Sequence, residues 1–422
     1  MDRVILQQNR HWKKKAYENI YNRSIMNTII KKMSLKEILV VTGVRRSGKS
    51  TLFKLLINHL IQTIDANHIL YINFDDPYYS EICNDAKKIY DIIETSEKLS
   101  THKIKYLLLD EIQNVRHWEK FVKSVYDSEN FEKICITGSN SNLLKGEYAR
   151  LISGRYSVNE VFPFSFQEIL SIHDIKSYAE IIENKPKVLM LLDTFLKYGG
   201  FPELLKHSDT DMKREIIVNY FETIALKDCI FRGKIRDIKK FNELLYYIIS
   251  NVGALYSYRS LSKAVECSDM SVREFILNLE DSFLIYETLN FSPSLKKQIR
   301  NKKKVYCIDN GFLWNVSFRI SMNTGMLLEN LVFSELLKRN KKVYFYNEQT
   351  ECDFVFKNKD SFQVVQVCFE LNDNNRKREI SGLMNAMKKF DTDKGFIVTY
   401  NQEEKSDNFF IMPFWKIFGI EM

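Results

Sequence analysis

Three observations in this 422-residue chain predict an α/β protein. Apolar runs alternate with helical stretches over residues 38–166, the pattern of a parallel sheet covered by helices on both faces. The first run, Ile38 to Thr42, stops at a glycine and enters Gly43-Val44-Arg45-Arg46-Ser47-Gly48-Lys49-Ser50-Thr51. After Asp309 a second alternation of helix and strand begins. The expected order is a parallel-sheet domain over 1–177, a helical lid or connector over 178–251, a winged helix-turn-helix over 252–308 and a second α/β domain over 309–422.

The glycine-rich loop carries the strongest signal. Four residues between Gly43 and Gly48 leave room for backbone N–H groups to turn inward around phosphate oxygens. The amphipathic stretch that follows aims the positive end of a helix at the same place. Lys49 is expected to reach the β- and γ-phosphates of a nucleoside triphosphate, and Ser50 to ligate Mg²⁺.

Further along, HILYINFDD (68–76), YLLLDEIQN (106–114), KICITGSNS (133–141) and SGRYSVNEVFPFSF (153–166) supply the other strands. The second of these ends in Asp110-Glu111. Asp110 could hold Mg²⁺ through a water, and Glu111 could orient and polarise the attacking water. Ser139 and Asn140 close the next strand, where they either sense the γ-phosphate or cap an ordinary turn. Arg155 could stabilise transition-state charge, from its own subunit or from a neighbour; the competing reading is a surface arginine at a strand start.

Composition sets the limits around this reading. A net charge of +8 permits nucleic-acid contact without requiring it. Seven cysteines without C-x-x-C pairs, and histidines confined to the first half, argue for reduced thiols in a cytoplasm and against a zinc site. The charged opening segment does not resemble a secretory signal, and no apolar run is long enough to span a bilayer, so no membrane partner is expected.

In order along the chain, GVRRSGKST, LLLDEIQN, ITGSNSNLL, LISGRY, FPFSFQE and YGGFPE resemble a family of prokaryotic ATPases in the AAA superfamily, whose members join this module to a C-terminal domain of uncharacterised function. The resemblance implies a P-loop NTPase sheet, ATP binding and Mg²⁺-dependent hydrolysis.

Within residues 257–309, two short helices around Ser268-Asp269 and two strands predict the winged helix-turn-helix. Its wing carries Lys296, Lys297, Arg300, Lys302, Lys303 and Lys304, a basic run suited to DNA phosphates or else a solvated lysine hairpin. Glu274, Glu280 and Asp281 on the second helix disfavour sequence-specific readout.

The last segment resembles the restriction-endonuclease-like fold. Glu329 or Glu335 could supply a first carboxylate and Asp353 a second, but the third element reads Gln366-Val367-Cys368 where active members carry Glu-x-Lys. A degenerate nuclease fold serving as a binding platform is therefore expected, with a metal-dependent nuclease as the alternative. The overall expectation is an ATP hydrolase coupled to these C-terminal parts, or an ATP-switched DNA-binding protein. A protein partner or a homo-oligomer is compatible with both.

Overall fold

The computed structural model describes residues 1–141, 154–317, 323–339, 341–348, 350–359 and 361–419. The chain divides into two compact units, residues 1–162 with 281–283 and residues 163–280 with 284–422.

The first unit is built on five parallel strands: β1 (Ile38–Thr42), β2 (Ile69–Asn73), β3 (Tyr106–Asp110), β4 (Lys133–Gly138) and β5 (Tyr156–Glu160), in the order β2-β3-β4-β1-β5. Alternate residues of each strand serve opposite faces. Ile38, Val40, Leu70, Ile72, Leu107 and Leu109 join one apolar cluster with Ile92 and Phe121 from the helices Lys88–Ser100 and Trp118–Asp127. Leu39, Val41, Ile69, Tyr71 and Leu108 join the other, with Leu52, Phe53 and Leu56 from the helix Lys49–Leu60. Burial on both faces is why these strands read as continuous apolar runs.

Because β2 is an edge strand, one side of its backbone lacks a strand partner. Side chains of the N-terminal segment satisfy it instead. The Asn9 amide accepts from Tyr71 N–H at 2.8 Å and donates to Tyr71 O at 3.0 Å. Gln8 accepts from Asn73 N–H at 2.9 Å, and Trp12 Nε1 donates to Ile69 O at 2.8 Å.

His11, fully buried, bonds Ile69 O through Nε2 at 3.0 Å. Burial pushes its imidazole down to about 4, partly opposed by that bond. A folded pKa below the unfolded value means that the unfolded segment binds the extra proton first. The stability His11 contributes is thus complete above about pH 6.5 and is lost as pH falls toward 4. Between pH 7 and pH 5, hydrogen-exchange protection of the Tyr71 and Asn73 amides should drop roughly 20-fold, and His11→Gln should remove the drop. Equal protection at both pH values would contradict this.

The second unit begins with helices, among them Lys185–Tyr198, Thr210–Thr223 and Ile238–Ser250, as the three- and four-residue apolar spacing predicts. A π-helical stretch, Ile224–Phe231, continues the second of them. Helices Tyr258–Ala264 and Asp269–Asp281 then precede an antiparallel pair, β6 (Ile285–Leu289) and β7 (Lys303–Cys307). The segment between β6 and β7 holds a short helix, Leu295–Arg300, rather than a plain basic hairpin.

A mixed six-stranded sheet closes this unit, with β8 (Val343–Asn347), β9 (Glu351–Asn358), β10 (Ser361–Val367), β11 (Gly395–Thr399), β12 (Glu404–Lys405) and β13 (Phe409–Pro413) in the order β12-β13-β11-β10-β9-β8. The β10-β11-β13 core is parallel, and β8, β9 and β12 run antiparallel to their neighbours. Helix Arg376–Phe390 lays Leu383, Ala386, Met387 and Phe390 on the sheet's apolar cluster. Helix Thr324–Lys338 is tied to β7 through Asn330, whose amide accepts from Cys307 N–H at 2.8 Å and donates to Cys307 O at 3.0 Å.

Candidate active site

In the first unit the phosphate loop leaves the carboxyl end of β1. Gly43 has φ +138°, and a Cβ there would lie 2.2 Å from Val161 O, so a side chain would have to displace β5's own continuation. Gly48 (φ +99°) turns the chain into the helix Lys49–Leu60. Arg46 also sits in the left-handed region, at φ 69°, and is exposed, while Arg45 is half-buried and Val44 is buried. Arg23 braces the loop by donating to Ser47 O at 2.9 Å and Phe162 O at 2.7 Å. Thr51 follows Ser50 in the first turn of the helix.

Lys49 is 4% exposed, yet its ammonium is directed into the loop. It donates to Gly43 O and Val44 O, both at 3.1 Å, and lies 3.6 Å from Glu111 Oε1. Asp110 ends β3, fully buried, with three hydroxyls on its carboxylate. Tyr71 donates to Oδ2 at 2.7 Å, Thr137 donates to Oδ1, and the Ser50 side chain is a third partner. Burial and the neighbouring Glu111 raise its pKa, and the three hydroxyls pull it back toward the charged form.

Glu111 takes a left-handed backbone, φ 53°, and its N–H donates to Thr137 Oγ1 at 2.9 Å. Thr137 therefore holds both acidic residues at once. Gln113 donates to the Glu111 carboxylate and reaches Ser139 Oγ at 3.5 Å. Ser139 and Asn140, both buried, stand at the end of β4 on this same edge of the sheet.

The donor set suits a nucleotide with a divalent cation. Gly43 and Gly48 supply the positive-φ backbone that curls the loop, the buried Ser47 hydroxyl has no hydrogen-bond partner among the described residues, and Ser50 beside Asp110 offers hard oxygens.

Arg155 does not join this group. Its carbonyl accepts from Ile38 N–H at 2.7 Å, which places it at the amino end of β1 and β5, one strand length or roughly 16 Å from the loop. There it pairs with Asp127 at 3.4 Å and lies over the Tyr126 ring. A transition-state role from its own subunit is thereby corrected: a residue preceding a parallel strand emerges at the edge opposite the phosphate loop. The end of ITGSNSNLL and the start of LISGRY lie outside the described residues.

The second unit assembles another polar group around a cavity of about 1000 Å³. Glu329 on helix Thr324–Lys338, Asp353 on β9 and Gln366 on β10 all line it. Glu335 does not. It is buried beside Lys338 at 3.0 Å, six residues along the same helix, where 3.6-residue periodicity turns it away from Glu329.

The cation in this group is Lys304, from β7. Its ammonium lies 2.8 Å from Glu351 Oε1, 3.1 Å from Glu329 Oε1 and 3.4 Å from Asp353 Oδ1. Burial alone lowers its pKa, but Tyr306 and the three carboxylates outweigh that and hold it well above the ordinary lysine range. Burial, then Glu329, push Asp353 up to about 7, against the pull of Lys304. Gln366 donates to Glu379 Oε2 at 2.7 Å and accepts weakly from Asp353 N–H at 3.3 Å.

Lys304 and its neighbour Lys303 are thus corrected as DNA contacts. Lys303 is buried under the Tyr258 ring and donates to Ile299 O at 2.9 Å. Lys296, Lys297, Arg300 and Lys302 are exposed. Among the described residues, no three His, Cys, Asp or Glu side chains are placed to hold a metal ion. At this cavity the Lys304 ammonium stands among the carboxylates.

Comparison with known proteins gives three family matches along the chain. Residues 35–170 match the model of an AAA domain, residues 189–322 a domain of unknown function (DUF8612) and residues 324–417 a second one (DUF4143). An uncharacterized protein of Methanocaldococcus jannaschii, MJ1544, is 34% identical over 409 residues, covering 91% of this chain and 89% of its own. An uncharacterized protein of Haemophilus influenzae is 33% identical over 344 residues, 80% of this chain and 84% of its own. Among solved structures, the ORC1 protein of Aeropyrum pernix in complex with DNA is similar over 75% of this chain and 93% of that one, at 10% identity and a TM-score of 0.32.

Proposed function

Starting from the premise that this chain belongs to the same family as the Methanocaldococcus jannaschii and Haemophilus influenzae proteins and carries its AAA-type P-loop ATPase domain, we propose that it is a Mg²⁺-dependent ATP hydrolase. The observation that carries this reading is the convergence of Lys49, Ser50, Asp110 and Glu111 on one edge of the parallel sheet.

The loop from Gly43 to Thr51 would hold the phosphates, with Lys49 exchanging its two loop carbonyls for β- and γ-phosphate oxygens. Ser50 and Asp110 would hold Mg²⁺, which offsets phosphate charge when bound. Glu111 accepts a proton from the attacking water, while Thr137 fixes its backbone relative to Asp110. Ser139 and Asn140, at the end of β4, would sense the γ-phosphate. A role for Arg155 in stabilising transition-state charge would be toward a neighbouring subunit's loop and would require it to leave Asp127.

Purified protein should release phosphate from ATP only with Mg²⁺, and Lys49→Ala should reduce release to background. ATP binding without any release, with DNA present or absent, would end this reading.

The four-segment organisation belongs to the same proposal, with 178–251 as the lid, 252–308 as a winged helix and 309–422 as a degenerate nuclease-like binding platform. Gln366 and Cys368 in place of Glu and Lys support the last, as does the ammonium of Lys304 among the carboxylates. A second reading, ATP-switched DNA binding, is favoured by the exposed Lys296, Lys297, Arg300 and Lys302. Seven free cysteines support a cytoplasmic setting. Among the described residues, no helix is long and apolar enough to cross a membrane.

A further inference from the structure

The N-terminal segment that covers β2 also forms a surface of its own. A hollow of about 610 Å³ in the first unit is lined by Arg3, Leu6, Gln7, Arg10, Lys13 and Lys15. Four of the six lining residues are cations and none is an acid. All four are exposed, and none is joined to a carboxylate among the described residues. Like charges gathered around one concavity repel one another, so the hollow has an unfavourable self-energy that an anion would relieve.

What distinguishes this from an ordinary solvated run of lysines is its anchoring. Between and beside the cations stand residues fixed in the fold: Ile5 in the sheet's apolar cluster, and Asn9, His11 and Trp12 on the backbone of β2. Arg10 and Lys13 flank His11 and Trp12 in one 3₁₀ turn, and Arg3 and Gln7 lie one helical turn apart on the helix Asp2–Gln8. The backbone that bears Arg3, Arg10 and Lys13 is thus held along one edge of the sheet, so folding rather than binding brings these three cations together.

We propose that this hollow is a docking surface for the phosphate backbone of nucleic acid. Successive phosphates present single negative charges in a row, which a row of arginines and lysines neutralises without reading bases. Arg3 and Arg10 can each take a phosphate through two parallel N–H bonds, while Lys13 and Lys15 act as point charges. A lipid surface fits less well, because Leu6, at 39% exposure, is the one apolar side chain that the hollow offers to a bilayer. The exposed cations between β6 and β7 belong to the other unit.

The test is binding of a fluorescein-labelled 30-base-pair duplex, and of one of its strands, to the full chain across a potassium chloride series. Replacing Arg3, Arg10, Lys13 and Lys15 together by Gln should weaken binding at least tenfold at 100 mM salt. The slope of log affinity against log salt should fall by about 3.6 on duplex, from four lost phosphate contacts. A variant losing the same charge at the exposed Lys377, Lys388, Lys394 and Lys405 should bind as the unaltered chain does, separating place from net charge. Thermal unfolding and Mg²⁺-dependent phosphate release serve as controls for folding. The proposal is overturned if the N-terminal variant binds like the unaltered chain, if both quadruple variants lose affinity equally, or if the unaltered chain binds phosphatidylserine vesicles or inorganic polyphosphate but neither nucleic acid.

Discussion

Glu111→Gln is expected to bind ATP as tightly as the unaltered chain and to hydrolyse it roughly 100- to 10,000-fold more slowly. The substitution preserves shape, and the features that place residue 111 lie in its backbone: a left-handed φ of 53° and an N–H donated to Thr137. An amide in that place can still accept from Gln113, but it cannot take a proton from water. Its lost charge also frees Lys49 from a partner 3.6 Å away, which favours phosphate rather than opposing it. Single-turnover phosphate release and equilibrium binding of a fluorescent ATP analogue separate the two effects. Turnover within about threefold of the unaltered enzyme would remove Glu111 from the mechanism.

Lys304→Ala carries the largest expected effect on stability. The lysine side chain is 3% exposed and stands within 3.4 Å of three carboxylates, two of them largely buried. Removing the ammonium leaves Glu329 and Asp353 buried without their cation, and losses of about 3–5 kcal/mol are typical of such broken buried pairs. The loss should depend on pH in a definite sense. Asp353 already has a folded pKa near 7, above that of an unfolded aspartate, and without Lys304 it rises further. A raised folded pKa gives stability that is present at low pH and disappears as pH rises through it, so the variant's deficit should be larger at pH 8 than at pH 5.5. Millimolar Mg²⁺ or Mn²⁺ should stabilise the variant more than the unaltered chain, since only the variant leaves these carboxylates open to a cation. Urea unfolding followed by fluorescence at the two pH values reads both effects; a deficit indifferent to pH and to divalent ions would contradict this account.

The two sites differ in how far they could be read from residues alone. The phosphate loop is local: its spacing, the preceding apolar strand and the following helix are contiguous, so Gly43, Lys49 and Ser50 needed no tertiary information. Asp110 and Glu111 were legible for the same reason, at the end of a buried strand. Tyr71 and Thr137 were not, because each looks like one more member of an apolar strand until parallel pairing brings their hydroxyls to Asp110. Arg155 was misplaced despite an available signal, since a residue before a parallel strand and a loop after one stand at opposite edges. Lys304 was hidden by its surroundings: in Lys302-Lys303-Lys304 the charges look alike, and only the pairing of β6 with β7 separates the exposed first from the buried second and third. Glu329 and Glu335 share a helix, and periodicity distinguishes their faces without saying which one meets Asp353.

The side-chain cover on β2 bears on where the ATPase module can be cut. The AAA match begins at residue 35, but Gln8, Asn9, His11 and Trp12 supply the hydrogen bonds that the outer edge of β2 would otherwise lack. A fragment starting at the family boundary would present Ile69, Tyr71 and Asn73 as an open strand edge, ready to pair with the same edge of another copy. The smallest self-sufficient ATPase fragment therefore includes the N-terminal arm, and a truncated one is expected to fail by sheet-to-sheet association rather than by loss of its phosphate loop.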